Sequence, residues 1–294
     1  MTHLTARLAP LALCALGLAA PACAASISHG TPERGLRPVP ETLPALTPVA
    51  APRAEFDHAH GDWNAILSKH VKGDGFDYGA LAKDTTVLDR YLAALHAVTP
   101  EQEASWSRDQ RFAFWINVYN AHTIQKVVEN YPLKSIRKLD PSLSFNTVFD
   151  KDFIPMNAFH PKGKDDELSL NDIEHKILRE RFKDARLHAA INCASYSCPP
   201  LLNEAFTAAK LDGQLEAQMK AFVVDPKRNV FDKKKNQLRL SEIFKWFDGD
   251  FERDAGSVRE YVIRFAPEEH HAFLKAAKIR YIDYDWDLND VPAQ

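Results

Sequence analysis

The sequence predicts an α+β fold: a single domain with a buried central helix, further helices and short antiparallel hairpins. Three observations predict it. A capping-box signature, Ser107-Arg108-Asp109-Gln110, opens RFAFWINVYNAHTIQKVVENY, in which Phe114, Trp115, Ile116, Val118, Ile124 and Val127 go nearly all the way round. A helix apolar on every side lies inside a protein. Two stretches, FIPMNAF with LSL across PKGKDDE, and RNVFD with QLRLS across KKKN, have strand-turn-strand texture. Elsewhere helical stretches outnumber strand-like ones, and no internal repeat is visible.

In chain order, residues 1–24 come first. Arg7 precedes the apolar run LAPLALCALGLAAPACA, which ends in the small residues Ala22-Cys23-Ala24. This is the layout of a secretory signal peptide, too short and too rich in small residues and proline to span a membrane. The alternative is a lipoprotein modified at Cys23, the one route by which the chain would touch a membrane. Residues 25–54 are proline-rich without apolar periodicity and read as a tether. Residues 55–290 are the globular domain, a size that suits one core. The expected location is therefore periplasmic or secreted.

Within the domain, Thr99-Pro100-Glu101-Gln102 orders a cap, a first-turn proline and a box-closing glutamine. The central helix should stop before Pro132. Ser169 and Asp172 open a further helix, LNDIEHKILRERF, with Leu170, Ile173, Ile177 and Leu178 as its stripe and Glu174 at the stripe's edge. ARLHAAIN reads as a short buried strand ending near Asn192, and LLNEAFTAAKL as a helix. Ser241 caps EIFKWF, Ser257 caps VREYVIRF, and KIRYIDYDW closes the domain as a strand.

The formal charge is −3, with no basic stripe, so nucleic acid is not an expected partner. The chemistry-bearing segment is HAAINCASYSCPPLL. Without residues 1–24, Cys193 and Cys198 are the only thiols. Nucleophilic cysteine chemistry needs a thiolate, a base and donors for the developing oxyanion. His188 is five positions before Cys193, and on one strand odd offsets face opposite sides. Either a bend at Asn192, or His175 or His122 as the base, is then required. Cys198, next to Pro199-Pro200 and the start of a helix, would have its pKa lowered by the backbone dipole. Asn117 and Asn120 share a face of the central helix, where buried amides either tie the helix to a loop or line a site. The pairs His58/His60 and His270/His271 have no evident third ligand, so no metal or other cofactor is expected.

FAFWINVYNAHTI, SLNDIEHKILR, RLHAAINCASYSCPPL and LSEIFKWFDGDF, in this order from about Gly75 to Asp287, resemble the domain-of-unknown-function family 547. Its members include exported bacterial proteins and plant proteins with a leucine-zipper segment, described as ternary-complex-factor-like. The zipper is absent here. The resemblance covers Trp115, Asn117, Asn120, Glu174, His175, His188 and Cys193. It implies that a shared thiol activity would rest on Cys193, since plant relatives tend to have serine at the Cys198 position.

The reading that best joins these residues is a cysteine-dependent hydrolase or acyl transferase acting on a small molecule or peptide. Cys193 is its nucleophile, His188 or His175 its base, and Glu174 the group orienting that base, with Asn117 or Asn120 polarising the substrate. The competing readings are thiol-disulfide exchange between Cys193 and Cys198, and a non-catalytic envelope binding domain.

Overall fold

The computed structural model describes residues 55–141, 146–160 and 167–291. The signal-peptide and tether stretches, Cys23 and most of the PKGKDDE turn lie outside them. The central helix is Arg108–Val128. Ser107 Oγ accepts from the Gln110 N–H at 3.2 Å, and Gln110 Oε1 accepts from the Ser107 N–H at 2.9 Å, so the predicted capping box forms. Every residue from Phe112 to Ile124 is buried. Burying each large apolar side chain contributes roughly 1.5–3 kcal/mol, which makes this helix the nucleus of the larger core. Helices Gly61–His70, Thr86–His96 and Pro100–Ala104 pack around it, the last capped by Thr99 as its sequence predicts. Trp115 donates its indole N–H to Glu103 at 3.0 Å, which satisfies the one polar atom of its side chain.

A second core gathers Phe222, Phe244, Phe251 and Tyr261 beneath a three-stranded sheet. Strand β1 (Val71–Lys72) pairs antiparallel with β2 (Gly75–Phe76) in a separate small hairpin. In the main sheet β3 (Val230–Asp232) pairs antiparallel with β4 (Gln237–Ser241), the predicted hairpin. β5 (Lys278–Ile282), the predicted closing strand, joins β4 in parallel. Ser257 caps helix Val258–Phe265 through the Glu260 N–H. Among the described residues no helix is long and apolar enough to cross a membrane.

Four local expectations are corrected. The FIPMNAF/LSL hairpin is reduced to one bridge, Ile154 with Leu168. Pro155 has no N–H to give, and the Met156 N–H turns back onto Ile154 O at 2.7 Å. ARLHAAIN is no strand: Ala185–Ala189 is a 3-10 helix, opened by the Asp184 side chain accepting from the Arg186 N–H. LLNEAFTAAKL is irregular as far as Leu211, where helix Leu211–Val224 begins. The N–H groups of Ala205 and Phe206 are held by the side chains of Asn64 and Asn117, so no helical turn forms there. Finally, Asp172–Arg179 winds as a π-helix before one α-turn at Glu180–Phe182. The Ser169–Asp172 box is present at its start. The wider winding turns Glu174 from the stripe's edge into the interior.

Candidate functional site: a sulfur pair in an aromatic cavity

Residues 192–198 form a tight loop that folds the second cysteine back on the first. Ala194 sits at φ 62°, in the left-handed region, which costs a non-glycine residue roughly 1–2 kcal/mol. Asn192 offsets that cost: its Oδ1 accepts from the Ala194 N–H at 2.8 Å, and its Nδ2 donates to Pro199 O at 2.8 Å. Asn120 in turn holds Asn192, accepting its backbone N–H at 2.9 Å and donating to Ala190 O. On the far side Arg228, 3% exposed, donates to the carbonyls of Cys198 and Tyr196 and is anchored by Asp225.

Folded this way, the Cys193 N–H donates to Cys198 Sγ at 3.0 Å. Both cysteines are free. Ser195 Oγ lies 3.3 Å from each sulfur. Tyr284 Oη lies 3.3 Å from Cys193 Sγ, 3.2 Å from Cys198 Sγ and 3.0 Å from Ser195 Oγ. The tyrosine comes from the segment after β5, which runs beside the loop: Tyr196 and Ser197 donate to the carbonyls of Asp287 and Asp285.

Such a pair shares one proton. Burial disfavours a thiolate on Cys198, yet the bonds from Cys193, Ser195 and Tyr284 outweigh it and lower its pKa to about 6. Cys193 moves the opposite way: its proton is held by Cys198, and burial adds to that. At neutral pH the negative charge rests on Cys198 and the proton on Cys193. The helix dipole expected to act on Cys198 plays no part, because no helix starts there.

The pair opens into a cavity of about 160 Å³ that Glu174, His175 and His188 also line. Burial raises Glu174 to about 7; the nearby Arg179 opposes this and the Cys198 charge adds to it. Its Oε2 accepts a long hydrogen bond, 3.5 Å, from Tyr119 Oη. His188 stacks on Phe247 with ring centroids 4.0 Å apart and donates Nε2–H to Asp250 at 2.8 Å. That bond leaves Nδ1 as an acceptor, 4.0 Å from Glu174 Oε1. Burial lowers the pKa of His188, so the ring is neutral. Asp250 is held well below the usual carboxylate range: burial opposes this, but bonds from His188 and Arg179 prevail. His175 Nδ1 accepts from Arg179 at 2.9 Å, and burial lowers its pKa too.

Of the residues singled out from sequence, Cys193, Glu174, His175 and His188 therefore share one cavity. Asn117 and Asn120 do not line it. Both amide atoms of Asn117 are taken by the backbone of Phe206, at 2.8 and 3.1 Å, which makes it a tie between helix and loop. Asn120 reaches the site only through Asn192. His122 is bonded to His96 and to Val118 O, away from the cavity. The bonds to Cys193 Sγ come from Ser195 and Tyr284, and no histidine is among them. Sequence reasoning missed Tyr284 and Asp250. Asp250 stands in the quoted FDGDF, and Tyr284 alternates with acids in DYDWD, a pattern that carries no thiol signal. Among the described residues no three His, Cys, Asp or Glu side chains are grouped to hold a metal ion. His60 is bonded to Tyr91, and His271 to Ala266 O.

Residues 104–223 match the family model described as "Protein of unknown function, DUF547". That stretch of the chain is similar to the family-547 domain. The match spans the central helix, the π-helix and the thiol loop, whereas Asp250, Tyr284 and Trp246 stand outside it. Comparisons with curated proteins and with solved structures give no match.

Proposed function

We propose that this protein is a thiol-dependent enzyme of acyl-transfer type, a hydrolase or acyl transferase, working in an exported setting. The observation that carries the reading is the pair of free thiols, each within 3.3 Å of Ser195 Oγ and Tyr284 Oη, in the same cavity as Glu174. Cys193 is the more exposed sulfur and is the one that reaches substrate, while Cys198 is 3% exposed. Cys198 thus takes the role sequence reasoning gave to a histidine. Cys193 passes its S–H proton to the Cys198 thiolate through the Tyr284 hydroxyl that both sulfurs contact, and its sulfur attacks the carbonyl carbon. The carbon–oxygen π pair moves onto oxygen and returns as the leaving group departs, protonated by Glu174. Water, or another acyl acceptor, then attacks the thioester and gives its proton to the Glu174 carboxylate. Cys193 leaves and takes its proton back from Cys198. His188 and Asp250 hold the polar wall beside Glu174.

The test is turnover of a small thioester with mass-spectrometric trapping of the acyl adduct. The adduct is expected on Cys193. Cys193→Ser removes both adduct and turnover, while Cys198→Ser retains slow turnover with its pH profile displaced upward, because the internal base is lost. An adduct on Cys198 alone, or full turnover by Cys193→Ser, overturns the assignment. The closeness of the two free thiols, with the Cys193 N–H on Cys198 Sγ and Ser195 and Tyr284 touching both sulfurs, favours one second reading, dithiol-disulfide exchange. There, Cys193 and Cys198 give up two protons and two electrons to a partner disulfide, which becomes two thiols. Loss of exchange in both variants, with a Cys193–Cys198 disulfide accumulating in the unsubstituted protein, moves the assignment to it.

A further inference from the structure

Resting on the acyl-transfer reading, we infer that the acyl group accepted here is uncharged and bears an aromatic or branched apolar side group, packed against a wall formed by Trp246, Tyr284 and Trp286. The wall is continuous: Tyr284 has its ring centroid 4.8 Å from Trp246 and 4.7 Å from Trp286, and the two indoles stack at 6.1 Å with planes 21° apart. All three line the cavity that holds the sulfurs, and Tyr284 touches both sulfurs, so wall and reacting atom share a residue. Trp246 is 43% exposed, a large apolar face left open at the cavity rather than buried in either core. An indole presented in this way offers planar dispersion and stacking surface to a ligand. The volume, about 160 Å³, limits the acyl group to a compact one such as a phenyl or short branched chain.

Charge decides the second half. Among the described residues no lysine or arginine lines the cavity, and burial lowers the pKa of His175 and His188. Arg179, nearby, is committed to Asp250 and His175, and Arg137, over the Trp286 ring, to Asp140. The cavity already carries the Cys198 negative charge. A carboxylate on the acyl group would enter it without a counter-charge and against a like charge, whereas a phenyl or branched alkyl group can pack on the aromatic wall.

Calorimetric titration of the full chain with phenylacetamide and with succinamate, amides that differ in an aromatic versus an anionic acyl group, tests the inference without requiring turnover. Phenylacetamide is expected to bind and succinamate to fail. Trp246→Ala should weaken phenylacetamide by about tenfold, the loss of one stacking contact, and Trp246→Phe should restore most of it. Succinamate binding as well as phenylacetamide, no binding of either, or unchanged affinity in Trp246→Ala overturns the inference. The thioester trapping described above stands apart from this outcome: acylation of Cys193 without the aromatic preference sinks only the acyl-group inference. Selective phenylacetamide binding with no acylation sinks only the catalytic reading.

Discussion

Replacing Tyr284 by phenylalanine deletes one hydroxyl and leaves the ring that packs against Trp246 and Trp286. That hydroxyl lies 3.3 and 3.2 Å from the two sulfurs and is itself bonded by Ser195. A hydrogen bond to an ionised group contributes about 1.5–3 kcal/mol, and about 1.36 kcal/mol moves a titration midpoint by one pH unit. Because the single Tyr284 proton is divided between two sulfurs, the lower end applies, and the change is roughly one pH unit. The bond stabilises the thiolate over the thiol, so its loss raises the midpoint from about 6 toward the ordinary thiol value. The assay is the rate of iodoacetamide alkylation as a function of pH, with circular dichroism confirming that the variant is folded. A folded Tyr284→Phe protein whose alkylation midpoint is unchanged would refute the reasoning, since the thiolate would then owe nothing to the hydroxyl.

Two further substitutions probe the surroundings. Burial raises Glu174 from 4.5 to about 7, so the folded chain keeps a proton that the unfolded chain releases. The resulting stability is fully present below about pH 4.5 and is lost as pH rises through about 7; urea unfolding should show Glu174→Gln removing a loss on the order of 3 kcal/mol over that window. A slope equal to that of the unsubstituted protein would count against a protonated Glu174. Arg228→Met strands Asp225 and the carbonyls of Cys198 and Tyr196, and should cost about 3–5 kcal/mol in the same assay. A cost below about 1 kcal/mol would mean that water replaces the guanidinium.

The sequence conveys much of the scaffold because capping and periodicity are local. The Ser107 box, the all-round burial of Phe112 to Ile124 and the hairpin from Val230 to Ser241 each follow from residues a few positions apart. ARLHAAIN was misread because a short apolar run fits a strand or a buried turn equally, and only the Asp184 cap and the absence of a paired neighbour decide it. The π-winding that buries Glu174 leaves no mark in a helical pattern. The site divides in the same manner. Cys193, Glu174, His175 and His188 stand out by residue type. Tyr284, Asp250 and Arg228 act from 30 to 91 residues away from their partners, through contacts that no spacing rule records.

Tyr284 follows Cys198 by 86 residues, so the state of the two thiols depends on a segment made well after them. A ribosome releases Cys193 and Cys198 long before residue 284, and until the segment after β5 docks, the sulfurs lack the hydroxyl they share. A nascent or C-terminally clipped chain carries both cysteines without that part of their activation. Thiol acidity thus reports whether the segment after β5 has docked against the cysteine loop.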